Sequence, residues 1–462
     1  MSQAVFLTGS LMGHVSRMTL TASIGLVAIF AVDFIDMIFI SMLGNAALAA
    51  AVGYAGTLLF FTNSINIGLS IAAGSLVAKA IGANQKNEAR EHATSVTVAA
   101  LIVGILLPVI MWSNLEALFV LLGAEGEALT LATRYAQFIL PSMAFMGLAM
   151  TAGAVLRAYG DAKRSMYSTL IGGVINAILD PILIFTFDLG LDGAAIASVV
   201  ARISMGCIAF GTAWKVHRAY CRLRVKMLMR DASAVATIAG PAILTNFATP
   251  FGNAIVTRLI APYGTDAVAG MAVVGRMIPM AFSVILALSG AVGPIVGQNF
   301  GAKNYARVSG ALTAAVQFVG IYVIGATLAL FALRPFIANL FDASGTTKDL
   351  IYLFCGPLAL AHFFNGLIFI ANASFNNLGH PLYSTFMNWG RQTLGTWPLA
   401  VIGASLWGAG GILIGQAAGG VIFGCIAIWL AFRVAKTLDS PREIDPFAAQ
   451  RNTHQHTHRG RW

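Results

Sequence analysis

The chain has 462 residues, of which 58% are hydrophobic and only 10% are charged, and its mean hydropathy is +0.80. A water-soluble protein of this length needs far more charge to cover its surface, so the composition excludes one and predicts an all-α polytopic membrane protein. The formal net charge of +10 at pH 7 would also suit a nucleic-acid partner. The placement of the basic residues, described below, favours membrane topology instead, and no nucleic acid is predicted.

Apolar stretches that approach or exceed the length needed to cross a bilayer recur along the chain. They predict twelve transmembrane helices, at residues 17–43, 47–80, 94–121, 127–157, 166–187, 191–213, 234–262, 265–298, 308–332, 346–377, 384–404 and 409–433. The first apolar stretch has no small-residue cleavage site, so no signal peptide is predicted. The four cysteines are scattered singly, which favours small packed side chains over a disulfide framework or a metal cluster.

The basic residues gather on alternate loops of this arrangement. One side holds Arg17, Lys79, Lys86, Arg90, Arg157, Lys163, Arg164, the stretch from Lys215 to Arg230, Lys303, Arg307 and the C-terminal tail. The opposite loops hold little besides Arg334 and Lys348. By the positive-inside rule, both termini are predicted to be cytoplasmic, in a bacterial-type inner membrane.

Three pairs of similar segments recur in the same order in the two halves of the chain. The pairs are "MLGNAALAAAVG" with "PYGTDAVAGMAV", "VAKAIGANQKNEAR" with "VGQNFGAKNYARV", and "YGDAKRSMYST" with "LGHPLYST". They predict six-helix bundles at 17–213 and 234–433, joined by a basic cytoplasmic linker at 214–233. An N-terminal cytoplasmic segment, 1–16, and a disordered tail, 434–462, complete the organisation. Each bundle has an even number of spans, so the repeats are predicted to be parallel.

Acidic side chains interrupt the apolar sequence of the first bundle. Asn176 and Asp180, in "INAILDPILIF", are four residues apart and share one face of helix five, while Asp33 and Asp36 share a face of helix one. An unpaired charge at the bilayer centre costs about 2.5–3.5 kcal/mol or more, so these acids are candidates for function. If Asp36 and Asp180 meet, repulsion in a low dielectric makes them share a proton and titrate as a pair. Protonation would let the helices close, and deprotonation would open a pocket for a guest.

A structural ion pair is the alternative reading of these acids. Its candidate partners are Arg202, Arg258, Arg276 and Arg391. The repeat alignment disfavours this reading, because the second bundle has Val256 opposite Asp36, and Thr396 or Trp397 opposite Asp180. A packing requirement would tend to recur in both bundles. We therefore predict a cation site that couples transport to protons, with sodium as the alternative ion.

These motifs, in their order and spacing, resemble those of the multidrug and toxic compound extrusion (MATE) family from about residue 17 to 433. "VDFIDMIFISMLG" resembles an Asp-x3-hydrophobic-x3-Gly pattern with Asp36 eight residues before Gly44. "AKAIGAN" and "GQNFGAK" resemble the repeated Gly-Ala loops, and "VLRAYGDAKRSMYS" resembles the segment after helix four. "NAILDPILIF" and "LDGAAIASVV" resemble helix five and the start of helix six. The resemblance implies two pseudo-symmetric six-helix bundles and export of drug-like compounds.

Within that family, the acids of helices one and five are similar to those of the DinF-like branch, whose coupling-cation site lies in the N-terminal half. The resemblance implies supporting roles for Tyr135 and Ser198, with Ser198 standing where a threonine is common. Helix seven, "PAILTNFATPFGNAIVTRLIA", lacks the acid of the NorM-like branch. The family's proline in helix one is replaced by Thr21, so any bend there must come from Gly25 or another weak point.

Other polar residues in or near the predicted spans are candidates for a substrate cavity. They are Arg202, Arg276, Arg391 and Asn388, for each of which a role in joining helices is the alternative. The predicted partners are small cationic or amphiphilic substrates and membrane lipid, with the protein a monomer. No cofactor or resident metal is predicted, apart from weak binding by "HQHTH" in the tail.

The sequence leaves one rival function open and disfavours two others. A lipid or lipid-linked glycan flippase stays open because four arginines lie within the predicted spans. An enzyme is disfavoured, since no nucleophile and base pair or H-E-x-x-H spacing is found. A channel is disfavoured equally.

Overall fold

The computed structural model of the protein describes residues 4–43 and 45–439. Gly44 of the predicted motif, and the predicted tail beyond residue 439 with its "HQHTH", lie outside the described residues. Ten of the helices within this part of the chain are long and apolar enough to cross a membrane, or up to eleven if one bent pair counts as a single span.

We number the long helices α1 to α12. The first half contains α1 Leu11–Met42, α2 Ala46–Gly82, α3 Lys86–Trp112, α4 Gly126–Ala158, α5 Ala162–Thr186 and α6 Gly190–Lys215. The second half contains α7 Val225–Tyr263, α8 Thr265–Gly301, α9 Tyr305–Leu340, the bent α10 (Gly345–Leu358 with His362–Leu378), and a helical stretch from 381 to 439. A short 3-10 helix, Val5–Leu7, precedes α1, and a helix at Leu115–Leu121 follows α3.

The last helical stretch reverses direction at Trp407 and Gly408. Trp407 leaves the helical region with φ −135° and ψ 19°, and Gly408 has φ 59°. Beyond the turn, the backbone returns so closely that a Cβ on Gly403 would lie 2.0 Å from the carbonyl oxygen of Gly411. The stretch therefore forms an antiparallel pair, α11 (residues 381–406) and α12 (residues 409–439). With this pair, the described residues contain twelve long helices, α1 to α12, as predicted.

Several predicted boundaries differ from the observed ones. α1 begins at Leu11 rather than at residue 17, and α7 begins at Val225, inside the stretch predicted as a linker. The predicted third span, 94–121, is broken after Trp112, and α12 continues to Asp439 rather than to residue 433. The predictions followed apolar length, whereas basic and polar residues continue a helix well beyond the bilayer.

The two halves meet where α2 crosses α8, at the end of the molecule that carries the basic loops. A Cβ on Gly82 would lie 1.9 Å from the carbonyl oxygen of Gln298, and a Cβ on Gly301 would lie 2.0 Å from that of Lys79. These four residues are equivalent in pairs in the two repeats, so the crossing obeys the two-fold relation expected of parallel repeats. Only glycine lets the two backbones approach this closely.

The residues of α8 become less buried with distance from the end that carries the basic loops. Every residue from 291 to 299 is buried, whereas more than half of those from 265 to 276 are exposed. The change occurs near Phe282, whose non-helical backbone (φ −119°, ψ 21°) follows Pro279. At the less buried end, a cavity of about 370 Å³ lies between α1 and α8. The halves thus pack tightly at the basic end and more loosely at the other.

Candidate coupling site

A cluster of three polar side chains joins α1 to α5 inside the first half. The Asn176 amide donates to both carboxylate oxygens of Asp36, at 3.1 and 3.0 Å, and to Oδ2 of Asp180 at 2.6 Å. The two carboxyl groups also lie close enough to share a hydrogen bond when one of them carries a proton. One amide therefore holds together two acids from different helices.

Small side chains along the contact of α1 with α5 bring these acids together. Gly25 packs against Thr169, and Gly173 packs against Val32, so the two helices approach closely on the N-terminal side of the cluster. On the C-terminal side of the cluster, Pro181 follows Asp180 directly, and the turn Ile182–Thr186 is π-helical. A proline cannot donate to the helix ladder, and a widened turn relieves the resulting mismatch. The helix is thus irregular just where it presents Asp180.

The cluster is shielded from solvent, and no described residue gives it a basic partner. Asp180 is 0% exposed and Asn176 4% exposed, while Asp36 is half-buried. Oδ1 of Asp180 accepts no hydrogen bond from any described residue. None of the ion pairs among the described residues includes Asp36 or Asp180. Because a buried carboxylate without a counter-ion is costly, these groups need a proton or a bound cation.

Three further predicted residues make no described hydrogen bond to the cluster. Tyr135 is buried on α4, within electrostatic reach of both acids. Asp33 is exposed, one turn before Asp36 on α1, and interacts through space with Asp36 and Arg202. Ser198 is half-buried on α6, and the described hydrogen bonds do not include it.

Arg202, the strongest candidate for a structural ion pair, donates to a hydroxyl instead of a carboxylate. Its Nη1 bonds Oγ of Ser142 at 3.1 Å. Ser142 lies where a short 3-10 turn, Leu140–Ser142, interrupts α4. No sequence pattern indicated this serine, although the neighbouring Pro141 signals the interruption.

The candidates for a substrate cavity in the second half have different surroundings. Arg276 contacts the sulfur of Met37 at 3.0 Å and lines the 370 Å³ cavity between α1 and α8. Arg391 donates to Oδ1 of Asn365 at 2.7 Å, and its Nε is buried without a described partner. Asn388 is buried and donates to Oδ1 of Asn372, so it joins α11 to α10 and lines neither described cavity.

Comparison with known families decides the identity of this fold. The MatE family model matches residues 22–182 and, a second time, residues 241–402. The chain belongs to the MATE family. The two matches coincide with the two halves of the molecule, so both the recognition and the doubled unit predicted from the sequence are confirmed. Members of the MATE family are transporters and not enzymes, and this chain is accordingly a multi-pass membrane transporter.

Relatives of known name agree with this family. The chain is 27% identical over 428 residues to the FAD transporter of Shewanella oneidensis, covering 91% of this chain and 94% of that one. It is 22% identical over 358 residues to the multidrug export protein MepA of Staphylococcus aureus, covering 76% and 78%. A mutant of the Vibrio cholerae MATE transporter VcmN superposes with a TM-score of 0.87 at 27% identity, covering 94% and 98%. The predicted fold class is confirmed.

Proposed function

We propose that this MATE transporter exports cationic or amphiphilic small molecules by alternating access, in exchange for protons or, as the alternative, sodium. The observation that carries the proposal is the cluster of Asp36, Asn176 and Asp180. Two acids share one amide there, one of them is fully buried, and no described basic group neutralises them. Such a site must exchange one cation for another, because it cannot stay both charged and empty in the membrane.

The coupling works through the repulsion between Asp36 and Asp180. A shared proton lets the carboxyl groups stay together and keeps α1 against α5. Loss of the proton separates them and leaves room for a positively charged or amphiphilic guest. Each proton that enters down the membrane potential supplies about 2.3 kcal/mol per 100 mV. Asp33, exposed beside the cluster, serves as an auxiliary acid, while Tyr135 and Ser198 support the site.

The orientation of Asn176 favours protons over sodium. Its amide nitrogen, a donor, faces both carboxyl groups. A sodium ion between the carboxylates would require the amide oxygen to turn inward, since hard cations bind oxygen ligands. The arrangement therefore suits a shared proton. The location of both acids in the first half supports placement of the chain in the DinF-like branch.

We also propose that the chain is a monomer in a bacterial inner membrane, with both termini cytoplasmic. The tight crossing of α2 and α8 lies at the end with the basic loops, which the positive-inside rule places in the cytoplasm. The protein is then closed toward the cytoplasm and opens outward.

A second candidate substrate is an anionic dinucleotide such as FAD. It is favoured by the relative from Shewanella oneidensis and by Arg258 and Arg276, which are exposed on α7 and α8. A lipid or glycan-lipid flippase is less favoured. Such a protein should gather cations on one surface, whereas Arg202, Arg276 and Arg391 have separate partners.

Uptake into inverted membrane vesicles tests the proposed function. We expect vesicles that contain this chain to accumulate the cationic dye ethidium, to lose that ability when the pH gradient is dissipated, and to keep it without sodium. FAD is assayed in parallel, and accumulation of FAD alone would replace the first candidate by the second. If neither compound accumulates above the background of vesicles without the chain, both candidate functions are contradicted.

A bend in α1 at Gly25, which the sequence offers as a weak point in place of a proline, is tested by Gly25→Ala. α1 is unbroken from Leu11 to Met42 and contains no proline, so Gly25 is its natural weak point. A Cβ there would lie 3.5 Å from Thr169, an ordinary contact, and alanine therefore fits. Alanine favours the straight helix by about 1 kcal/mol, so transport should slow about fivefold without any loss of thermal stability. Gly53→Ala in α2, which meets nothing within 4 Å, is the control. Equal rates for both variants would exclude Gly25 as the hinge.

A further inference from the structure

A second cavity, of about 490 Å³, lies at the basic end of the molecule, away from the coupling site. It is enclosed by the first turns of α1 and α5 and by the N-terminal segment that precedes α1. Its wall includes Arg17, Lys163, Tyr167, Val5 and Phe6. The cavity thus joins two adjacent helices of the first half at the level where the membrane surface is expected.

The cavity carries an excess of positive charge. Its one acid, Asp161, is bonded to Arg164 at 2.6 Å and to His217 at 2.8 Å. Burial raises the pKa of Asp161, but the hydrogen bonds from Arg164 and His217 outweigh this effect and keep the pKa below its ordinary value. Asp161 is therefore ionised and already matched. Arg17 and Lys163 have no acidic partner among the described residues, and both are exposed.

Each of these two cations stands at the start of an exposed apolar stripe. The stripes consist of Leu20, Ile24 and Val27 above Arg17 on α1, and Tyr167, Ile171, Val174 and Ile178 above Lys163 on α5. Their spacing of three to four residues keeps each stripe on one face. α1 and α5 run parallel, since Gly25 contacts Thr169 and, further along both helices, Val32 contacts Gly173. Apolar faces of this kind contact acyl chains in a bilayer.

We propose that this cavity binds the phosphate headgroup of an anionic phospholipid from the leaflet on the basic side. Arg17 and Lys163 hold the phosphate, and the two acyl chains follow the stripes on α1 and α5. A headgroup placed between transmembrane helices on the cytoplasmic side is a recognised use of basic pockets. The apolar stripes select a lipid over free phosphate, which has nothing to place along them.

Occupancy of this site bears on the closed state of the transporter. Phe6, in the cavity wall, donates its backbone N–H to Oε1 of Gln298 at 3.0 Å. The same Gln298 side chain donates to the carbonyl oxygen of Ala158 at 2.8 Å, and so links the second half to the first. Arg307 adds a hydrogen bond to the carbonyl oxygen of Phe6. A lipid that orders the N-terminal segment therefore stabilises the closure at the basic end.

The test uses the full chain in nanodiscs of neutral phosphatidylcholine with or without phosphatidylglycerol, and a double variant, Arg17→Gln with Lys163→Gln. We expect phosphatidylglycerol to raise the melting temperature of the wild type, and the number of anionic lipids that co-purify with the double variant to fall several-fold. Each cation contributes about fivefold to binding near a membrane surface. The matched control is Lys86→Gln with Arg222→Gln, which removes two exposed charges from the same end but outside the cavity.

Three outcomes would overturn the proposal. The first is an equal effect of phosphatidylglycerol on wild type and double variant. The second is an equal loss of lipid in the control pair, which would show that any basic charge at this end is sufficient. The third is full stabilisation by inorganic phosphate in neutral nanodiscs, which would identify a soluble anion as the ligand. None of these readouts involves transport, so the result does not depend on the proposed substrate or coupling ion.

Discussion

Asp180→Asn is expected to abolish coupled export while the protein stays folded. Asparagine has nearly the same shape, and its oxygen still accepts the bond that Asn176 donates to Asp180. Because Asp180 is fully buried without a basic partner, removal of its charge should leave thermal stability unchanged or raise it. The variant can no longer exchange a proton at this position. Transport driven by a pH gradient should fall at least about tenfold, toward the background of vesicles without the chain.

The measurement is ethidium uptake into inverted vesicles at matched protein levels. Asp188→Asn is the control, since it makes the same substitution at an exposed position just beyond α5. Normal, gradient-driven uptake by Asp180→Asn would show that the cluster is not the coupling site. If Asp188→Asn also loses uptake, the loss in Asp180→Asn would reflect a disturbed local fold and not a missing coupling acid.

Gly82→Ala and Gly301→Ala are each expected to force the basic end open. The added methyl group would lie about 2 Å from a backbone carbonyl oxygen of the partner helix, where no side chain can rotate away. Overpacking of this kind costs about 1–3 kcal/mol. The cost falls only on the state closed at this end, so the ratio of the two states should shift about tenfold toward the state open at the basic end. Transport should slow correspondingly, because the cycle requires both states.

Spin labels on the two halves report this change directly. Asn87 and Ala306 are exposed, occupy equivalent positions in the repeats and flank the crossing. With the four native cysteines replaced by serine, we expect a longer distance between labels at these positions in both glycine variants. Gly211→Ala, which meets nothing within 4 Å, should keep the wild-type distance. An unchanged distance in both variants would mean that the crossing is not the closure.

The sequence predicted the coupling cluster because helical spacing determines which residues share a face. Asn176 and Asp180 are one turn apart, and the cost of buried charge marked the acids of helices one and five as candidates for function. The resemblance to the DinF-like branch implied that Asp36 belongs with them. The structure brings these three side chains together. The structure also shows that the amide nitrogen of Asn176 faces both carboxyl groups. Helical spacing cannot predict this orientation, and the preference for protons depends on it.

The boundaries and the polar contacts of the second half were less predictable. A hydropathy pattern ends where apolar residues end, yet α7 continues as a helix into the basic stretch down to Val225. The partners of Arg202, Arg391 and Asn388 are single hydroxyl or amide groups. Such groups are common in the sequence and lie at no fixed spacing from these residues, so no pattern predicts the contacts. Asn388 donates to the amide of Asn372, a contact that fits the helix-joining role that the sequence left open beside a cavity role.

The most direct test of the account is whether substrate binding displaces a proton from the purified protein. In weakly buffered detergent solution with a pH-sensitive dye, ethidium should release about one proton for each molecule bound by the wild type. Asp180→Asn should release none, although binding itself need not disappear. Binding without any proton release in sodium-free buffer, or equal release from wild type and Asp180→Asn, would contradict the exchange of a proton for substrate at Asp36 and Asp180.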